Sequence, residues 1–143
     1  NRVRPAPDPE EEPQPEPTPP PMAPPPPDEE DCQIKDFTAR YFRENLACYT
    51  HNNYPNGPAG YQAHHVFPQV FKSDFDAILG PDELHNPKYG TWWENFDHQS
   101  KKGPYQQRWD EYLGRYRPGH PTMAQTLYFG RLLATYYGQT VYF

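Results

Sequence analysis

Between residues 33 and 48 the apolar positions Ile34, Phe37, Tyr41 and Leu46 recur at roughly helical spacing among polar neighbours, which predicts an amphipathic helix. The run Asn52-Asn53-Tyr54-Pro55-Asn56-Gly57-Pro58 then interrupts the pattern with residues that all favour turns. Tyr61 to Phe67 reads as a short strand or extended segment, ended by Pro68. Proline suits the first turn of a helix, and Val70, Phe71, Phe75, Ile78 and Leu79 keep helical spacing until Gly80 closes the run. Residues 81 to 90 are irregular. Trp92 to Ser100 predicts a helix, Lys102-Gly103-Pro104 a break, and Tyr105 to about Tyr116 another helix with Trp109, Tyr112 and Leu113 inward. A last helix is expected from about Thr122, where Gln125 completes a capping box, to Gly138, with a β-prone run over Thr140 to Phe143 after it. The fold class that follows is α+β and mainly helical, with one small domain.

Composition restricts that domain to residues 32 to 143. Residues 1 to 31 hold 13 of the 21 prolines and no aromatic residue. Proline fixes φ and removes backbone donors, so Pro17-Thr18-Pro19-Pro20-Pro21 and Pro24-Pro25-Pro26-Pro27 favour extended polyproline II, and the stretch is expected to be a disordered, solvated spacer. It carries nine acids against Arg2 and Arg4, a net charge of −7; the whole chain is −6, leaving about +1 for the remainder. The acidic balance therefore belongs to the spacer and does not exclude a polyanionic substrate. Lys72, Lys88, Lys101, Lys102, Arg108, Arg115, Arg117 and Arg131 suffice for several phosphate contacts without forming a strongly basic patch. No stretch is long and apolar enough to span a membrane. The chain starts Asn1-Arg2-Val3 without methionine or signal peptide, as a processed or shortened chain would. If Cys32 and Cys48 sit on one continuous helix, 16 steps separate them by about 24 Å, so free thiols are expected; no Cys-x-x-Cys spacing suggests zinc.

The chemistry centres on histidine. All six histidines follow residue 50, and His64-His65 ends the expected strand immediately before a helix. Neutral imidazole is the commonest metal ligand and titrates near neutral pH, so one cluster could both hold a divalent ion and supply a base. A strand-borne His-His followed by a helix-borne ligand is the minimum kit of a ββα-metal (HNH or His-Me finger) nuclease. In that reading His65 is the base, His64 and His98 are ligands, and Glu94, four residues before His98 on the same helical face, is a third. Against it, adjacent strand residues point to opposite faces, so both histidines serve one site only where the strand is twisted or bulged; otherwise one is simply buried and hydrogen-bonded.

The element His64-His65-Val66-Phe67-Pro68-Gln69 resembles the His-His-hydrophobic-Phe-Pro-Gln motif of the myxobacterial paralogous lipoproteins that include the SitA-like toxins. Phe96-Asp97-His98-Gln99, then Gly103-Pro104-Tyr105-Gln106-Gln107-Arg108-Trp109, is similar to that family's second histidine block, glycine-rich break and Trp-containing helix. The resemblance covers about residues 60 to 143. It implies a polymorphic toxin of the HNH-like nuclease group with an AHH-like motif, exported as an outer-membrane lipoprotein from a lipid anchor upstream. Such a toxin acts on DNA or RNA in the cytoplasm of a sibling cell and is neutralised in the producer by a cognate immunity protein. The chain departs from the family at the second block, where Glu94 and His98 stand in place of two histidines. A carboxylate there still suits a hard cation, so Mg, Mn or Zn all stay open.

Asn86 and Asn95 are both candidates for the asparagine that steadies the base's loop in such sites; a plain turn residue is the alternative for Asn86, before Pro87. Lys101, Lys102 and Arg108 are candidate phosphate contacts or a solvated charge cluster. His85 reads as a surface histidine or a loop approach to the metal, while His51 and His120 lie in exposed turns. The alternatives to a nuclease are a non-catalytic protein-binding module with structural histidines, or a hydrolase of another phosphodiester.

Overall fold

The computed structural model describes residues 32–143, so the expected spacer over residues 1–31 lies outside the described residues. Among the described residues the first element is helix α1, Phe42–Thr50, shorter than the expected span of 33 to 48. Residues 32–41 form no regular structure because the fully buried Asn45 captures them. Its Oδ1 accepts from Lys35 N at 2.7 Å, and its Nδ2 donates to Lys35 O at 3.1 Å and Asp36 O at 3.4 Å. The arm therefore folds back along α1, and Cys32 meets Cys48 in a disulfide with its Cα atoms 5.7 Å apart. This corrects the expectation of free thiols, whose 24 Å separation assumed one continuous helix. Ile34, one of the apolar positions of that expected amphipathic helix, is exposed.

Strand β1, Tyr61–His65, pairs antiparallel with β2, Gly90–Glu94, in a two-stranded sheet whose register sets Tyr61 opposite Glu94, His64 opposite Thr91 and His65 opposite Gly90. Between them lie a 3-10 turn at Gln69–Phe71, helix α2 at Lys72–Leu79, and two further 3-10 turns at Glu83–His85 and Pro87–Tyr89. The first third of the expected helix over Trp92 to Ser100 is thus strand, and Asn95 to Ser100 are helical as expected. Thr91, Trp92 and Trp93 complete the ladder that β1 opens, and the helix begins only after Glu94.

Helix α3, Asn95–Gly114, runs unbroken through Gly103 and Pro104, where a break was expected. Pro104 removes one ladder donor, but residues 99 to 104 are all exposed, so water can satisfy the freed carbonyl. The buried stripe Tyr105, Trp109, Tyr112 and Leu113 holds the helix against the core regardless. Helix α4, Met123–Tyr136, starts at the expected capping box: Gln125 N donates to Thr122 Oγ1 at 3.1 Å, and Thr122 N donates to Gln125 Oε1 at 2.8 Å. Thr140 to Phe143 makes no strand; Phe143 packs on Phe67 and Tyr89 instead.

One aromatic core gathers Phe67, Phe75, Tyr89, Trp93, Tyr105 and Trp109 with Val66, Leu84 and Leu133. At its centre Val66 O accepts from Tyr105 Oη at 2.6 Å and from Trp109 Nε1 at 3.1 Å, while Val66 N donates to Tyr89 O at 3.0 Å. The backbone just after the histidine pair is thereby tied to α3 by two buried donors. Among the described residues no helix is long and apolar enough to cross a membrane.

Candidate active site

The pleat of β1 sends His64 and His65 to opposite faces. His64 shares its face with Trp93, and α3 crosses that face, with His98 in its first turn and Tyr105 seven residues on along nearly the same side. The His64 ring is met edge-on by Trp93 and Tyr105, each with centroids at 4.7 Å, and by His98 at 5.5 Å. His64 is 7% exposed, and its Nε2 is buried with no hydrogen-bond partner among the described residues. Burial first, then the nearby His98 and His65, put its pKa well below the usual 6.5. Burial, followed by the Lys102 ammonium, also lowers that of His98. Both rings are therefore neutral at physiological pH, the state in which imidazole binds a metal.

On the other face His65 stands opposite Gly90, and the Phe42 ring of α1 fills the space left by the missing side chain. Phe42 stacks on His65 with centroids 3.6 Å apart and planes 13° from parallel. At its edge, His65 Nε2 lies 3.0 Å from Nδ1 of His85. Burial, and secondarily His85, push the His65 pKa down to about 3. His65 Nδ1 makes no hydrogen bond among the described residues and is not among their sealed polar atoms.

The strand carries no bulge at the histidine pair. The ladder is regular through His65 and the chain then turns away at Val66 to Pro68; His64 and His65 are both among the residues that line the cleft at the strand end. That cleft, about 220 Å³, is lined by Ala63, His64, His65, Pro68, Gln69, Val70, His98, Lys102, Tyr105 and Gln106. Three histidines, Lys102, Gln69 and Gln106 thus line one cleft, residue types able to hold a cation, accept a proton and neutralise a phosphate.

The remaining expected residues lie elsewhere. Glu94 is the exposed N-cap of α3, its Oε1 accepting from Asp97 N at 2.8 Å, and does not line the cleft; as the last strand residue it shares no helical face with His98. Among the described residues no group of three or more His, Cys, Asp and Glu side chains is arranged to hold a metal; His64 and His98 are a pair. Asn86 caps its own loop, accepting from Lys88 N at 3.0 Å and donating to Glu83 Oε1 at 3.2 Å. Asn95 opens α3 with a buried, unpartnered Oδ1. Lys101 is paired with Asp97 at 2.8 Å, and Arg108 lines a different groove with Pro104, Gln107 and Glu111. His51 and His120 are exposed as expected, but His85 is only 4% exposed, which corrects its reading as a surface histidine. Gln69 and Gln106 also face the cleft without any sequence signal beyond proximity to the histidines and to Lys102. Comparison with protein-family models, curated proteins and solved structures finds no match for this chain.

Proposed function

We propose that the chain is a metal-dependent nuclease that hydrolyses DNA or RNA phosphodiesters. The observation that carries this reading is the convergence of neutral His64, His65 and His98 with Lys102 on one cleft. The residues fit a divalent ion in that His64 and His98 offer two adjacent neutral imidazoles, and a buried Nε2 without a partner is otherwise an unexplained cost. Two histidines are fewer than the four protein ligands of a closed structural site, so an ion held by them would remain open to other donors. A bound ion of this kind supplies Lewis-acid polarisation of the phosphate and stabilisation of the leaving oxygen. His65, neutral across physiological pH, takes the proton of the attacking water, and Lys102 steadies the phosphate. The toxin role, export on a lipid anchor and neutralisation by an immunity protein belong to the same proposal and rest on the motif resemblance over residues 60 to 143 alone.

A protein-binding module is the second reading. Tyr128, Leu132 and Tyr136 stand four apart along α4 and are 61%, 51% and 76% exposed, an apolar stripe that a partner could cover. Metal dependence separates the two. The purified chain is incubated with plasmid DNA and total RNA in Mg²⁺, Mn²⁺, Zn²⁺ or EDTA, alongside His65→Ala. Degradation that needs metal and disappears in the variant supports the nuclease; no cleavage of either polymer by folded protein moves the reading to the binding module.

A further inference from the structure

A second buried histidine stands behind His65. His85 closes the 3-10 turn Glu83–His85, where His85 N donates to Asp82 O at 3.0 Å, Asn86 N donates to Glu83 O at 2.9 Å and the neighbouring Leu84 is fully buried. Its backbone is therefore fixed by its own loop, and its ring lies edge-on to Phe42 with centroids 6.5 Å apart. It meets His65 nearly edge to face, with centroids 5.1 Å apart and planes at 75°, and through the single contact of His65 Nε2 with His85 Nδ1.

The two neighbours of His65 fix different degrees of freedom. Stacking on Phe42 sets the plane of the imidazole but is indifferent to a flip of the ring within that plane. Only the hydrogen bond at His85 distinguishes Nε2 from Nδ1. One proton lies between two neutral rings, so either His65 donates from Nε2, leaving its Nδ1 bare, or His85 donates and His65 carries its proton on Nδ1. Close to His85, Lys72 bridges Asp76 at 2.6 Å and Asp82 at 2.9 Å, a trio with one net negative charge. A negative excess beside His85 favours a proton on the ring nitrogen that is free of His65, which would leave Nδ1 as an acceptor.

Resting on the nuclease reading above, we propose that His85 is a positioning residue for His65: its Nδ1 accepts the Nε2–H of His65 and locks that ring in the tautomer whose bare Nδ1 takes the proton of the attacking water. Neither a ligand role nor a surface role accounts for a buried loop histidine that touches the base and does not line the cleft.

The test uses the full chain, ¹⁵N-labelled, with long-range ¹H–¹⁵N correlation of the imidazoles to read the His65 tautomer, and nucleic-acid cleavage to separate kcat from KM. His85→Leu removes the acceptor. His85→Asn retains one, because asparagine Oδ1 stands where the histidine Nδ1 does. The expected result is a single Nε2–H tautomer of His65 in the wild type and in His85→Asn, and a mixture in His85→Leu. His85→Leu should lose kcat on the order of 10- to 100-fold at unchanged KM, with much of the loss restored by asparagine. An Nδ1–H tautomer in the wild type, or an active His85→Leu chain with wild-type kcat, overturns the proposal. If His85→Leu fails to fold, the wild-type tautomer and His85→Asn decide alone. A wild-type chain that cleaves no nucleic acid overturns the nuclease reading instead, and the tautomer still reports whether the hydrogen bond exists.

Discussion

Gly90 lies directly across the ladder from His65, and a Cβ placed on it would come within 2.7 Å of Cζ of Phe42, the ring that stacks on His65. Gly90 adopts φ −105° and ψ 163°, which any residue tolerates, so the glycine is required by space and not by backbone conformation. Phe42 cannot retreat easily, since Leu46 Cδ1 stands 3.2 Å from the same point and both side chains are buried. Gly90→Ala should therefore destabilise the fold by about 1–3 kcal/mol, the usual cost of overpacking, and disturb the His65 ring. Denaturant unfolding beside ring-proton shifts of His65 measures both; an unchanged midpoint with an unmoved ring would show that the contact has slack.

The arm over residues 32–41 is held twice, by Asn45 and by the Cys32–Cys48 disulfide. A loop of 16 residues predicts a stabilisation of about 3 kcal/mol from the cross-link. Asn45→Ala, which removes the buried amide's hydrogen bonds to the backbone of Lys35 and Asp36, should cost about 1–3 kcal/mol. Because both act on the same arm, the loss on combining Asn45→Ala with reduction should differ from the sum of the separate losses. Urea titrations of the four species test this, and strict additivity would count against a shared role.

Stability should fall as acid is added. The folded pKa of His65 is about 3 against the ordinary 6.5, so between those values the unfolded chain binds a proton that the folded chain refuses. The contribution is complete above pH 6.5 and declines as pH drops, by up to about 1.4 kcal/mol per pH unit for this one group, until the folded pKa is passed. His64, His85 and His98 are shifted in the same direction and steepen the slope. Unfolding free energies at pH 7.5, 6, 5 and 4.5 should show the decline, and a flat profile would contradict neutral burial of these rings.

Glu94 and His98 should separate cleanly in metal binding. Metal that binds only the folded chain raises its melting temperature. Glu94→Ala should cost about 1 kcal/mol as a lost N-cap while keeping that rise. His98→Ala and His64→Ala should abolish it. A rise that vanishes in Glu94→Ala but survives in His98→Ala would restore Glu94 as a ligand.

Features that depend on short-range stereochemistry were legible along the chain. Thr122 and Gln125 cap α4 because both partners are three residues apart; Gly80, with φ 113°, ends α2 because few other residues adopt that conformation; and His64-His65 does end a strand before a helical turn. Tertiary structure decided the rest. A buried asparagine ten residues away overrode the helical pattern of the arm. The pairing of β1 with Trp92 and Trp93 turned the start of an expected helix into strand, making Glu94 a cap. A packed aromatic stripe carried α3 through Pro104, keeping His98 and Tyr105 on one side against His64. His85 was legible only as a surface histidine or a loop approach to the metal, because nothing local distinguishes a loop histidine in water from one whose Nδ1 meets another ring 20 residues earlier in the chain. Local preferences are worth fractions of a kcal/mol per residue, whereas burying an aromatic ring or satisfying a sealed polar group is worth several times more, so where the two compete the long-range contact prevails.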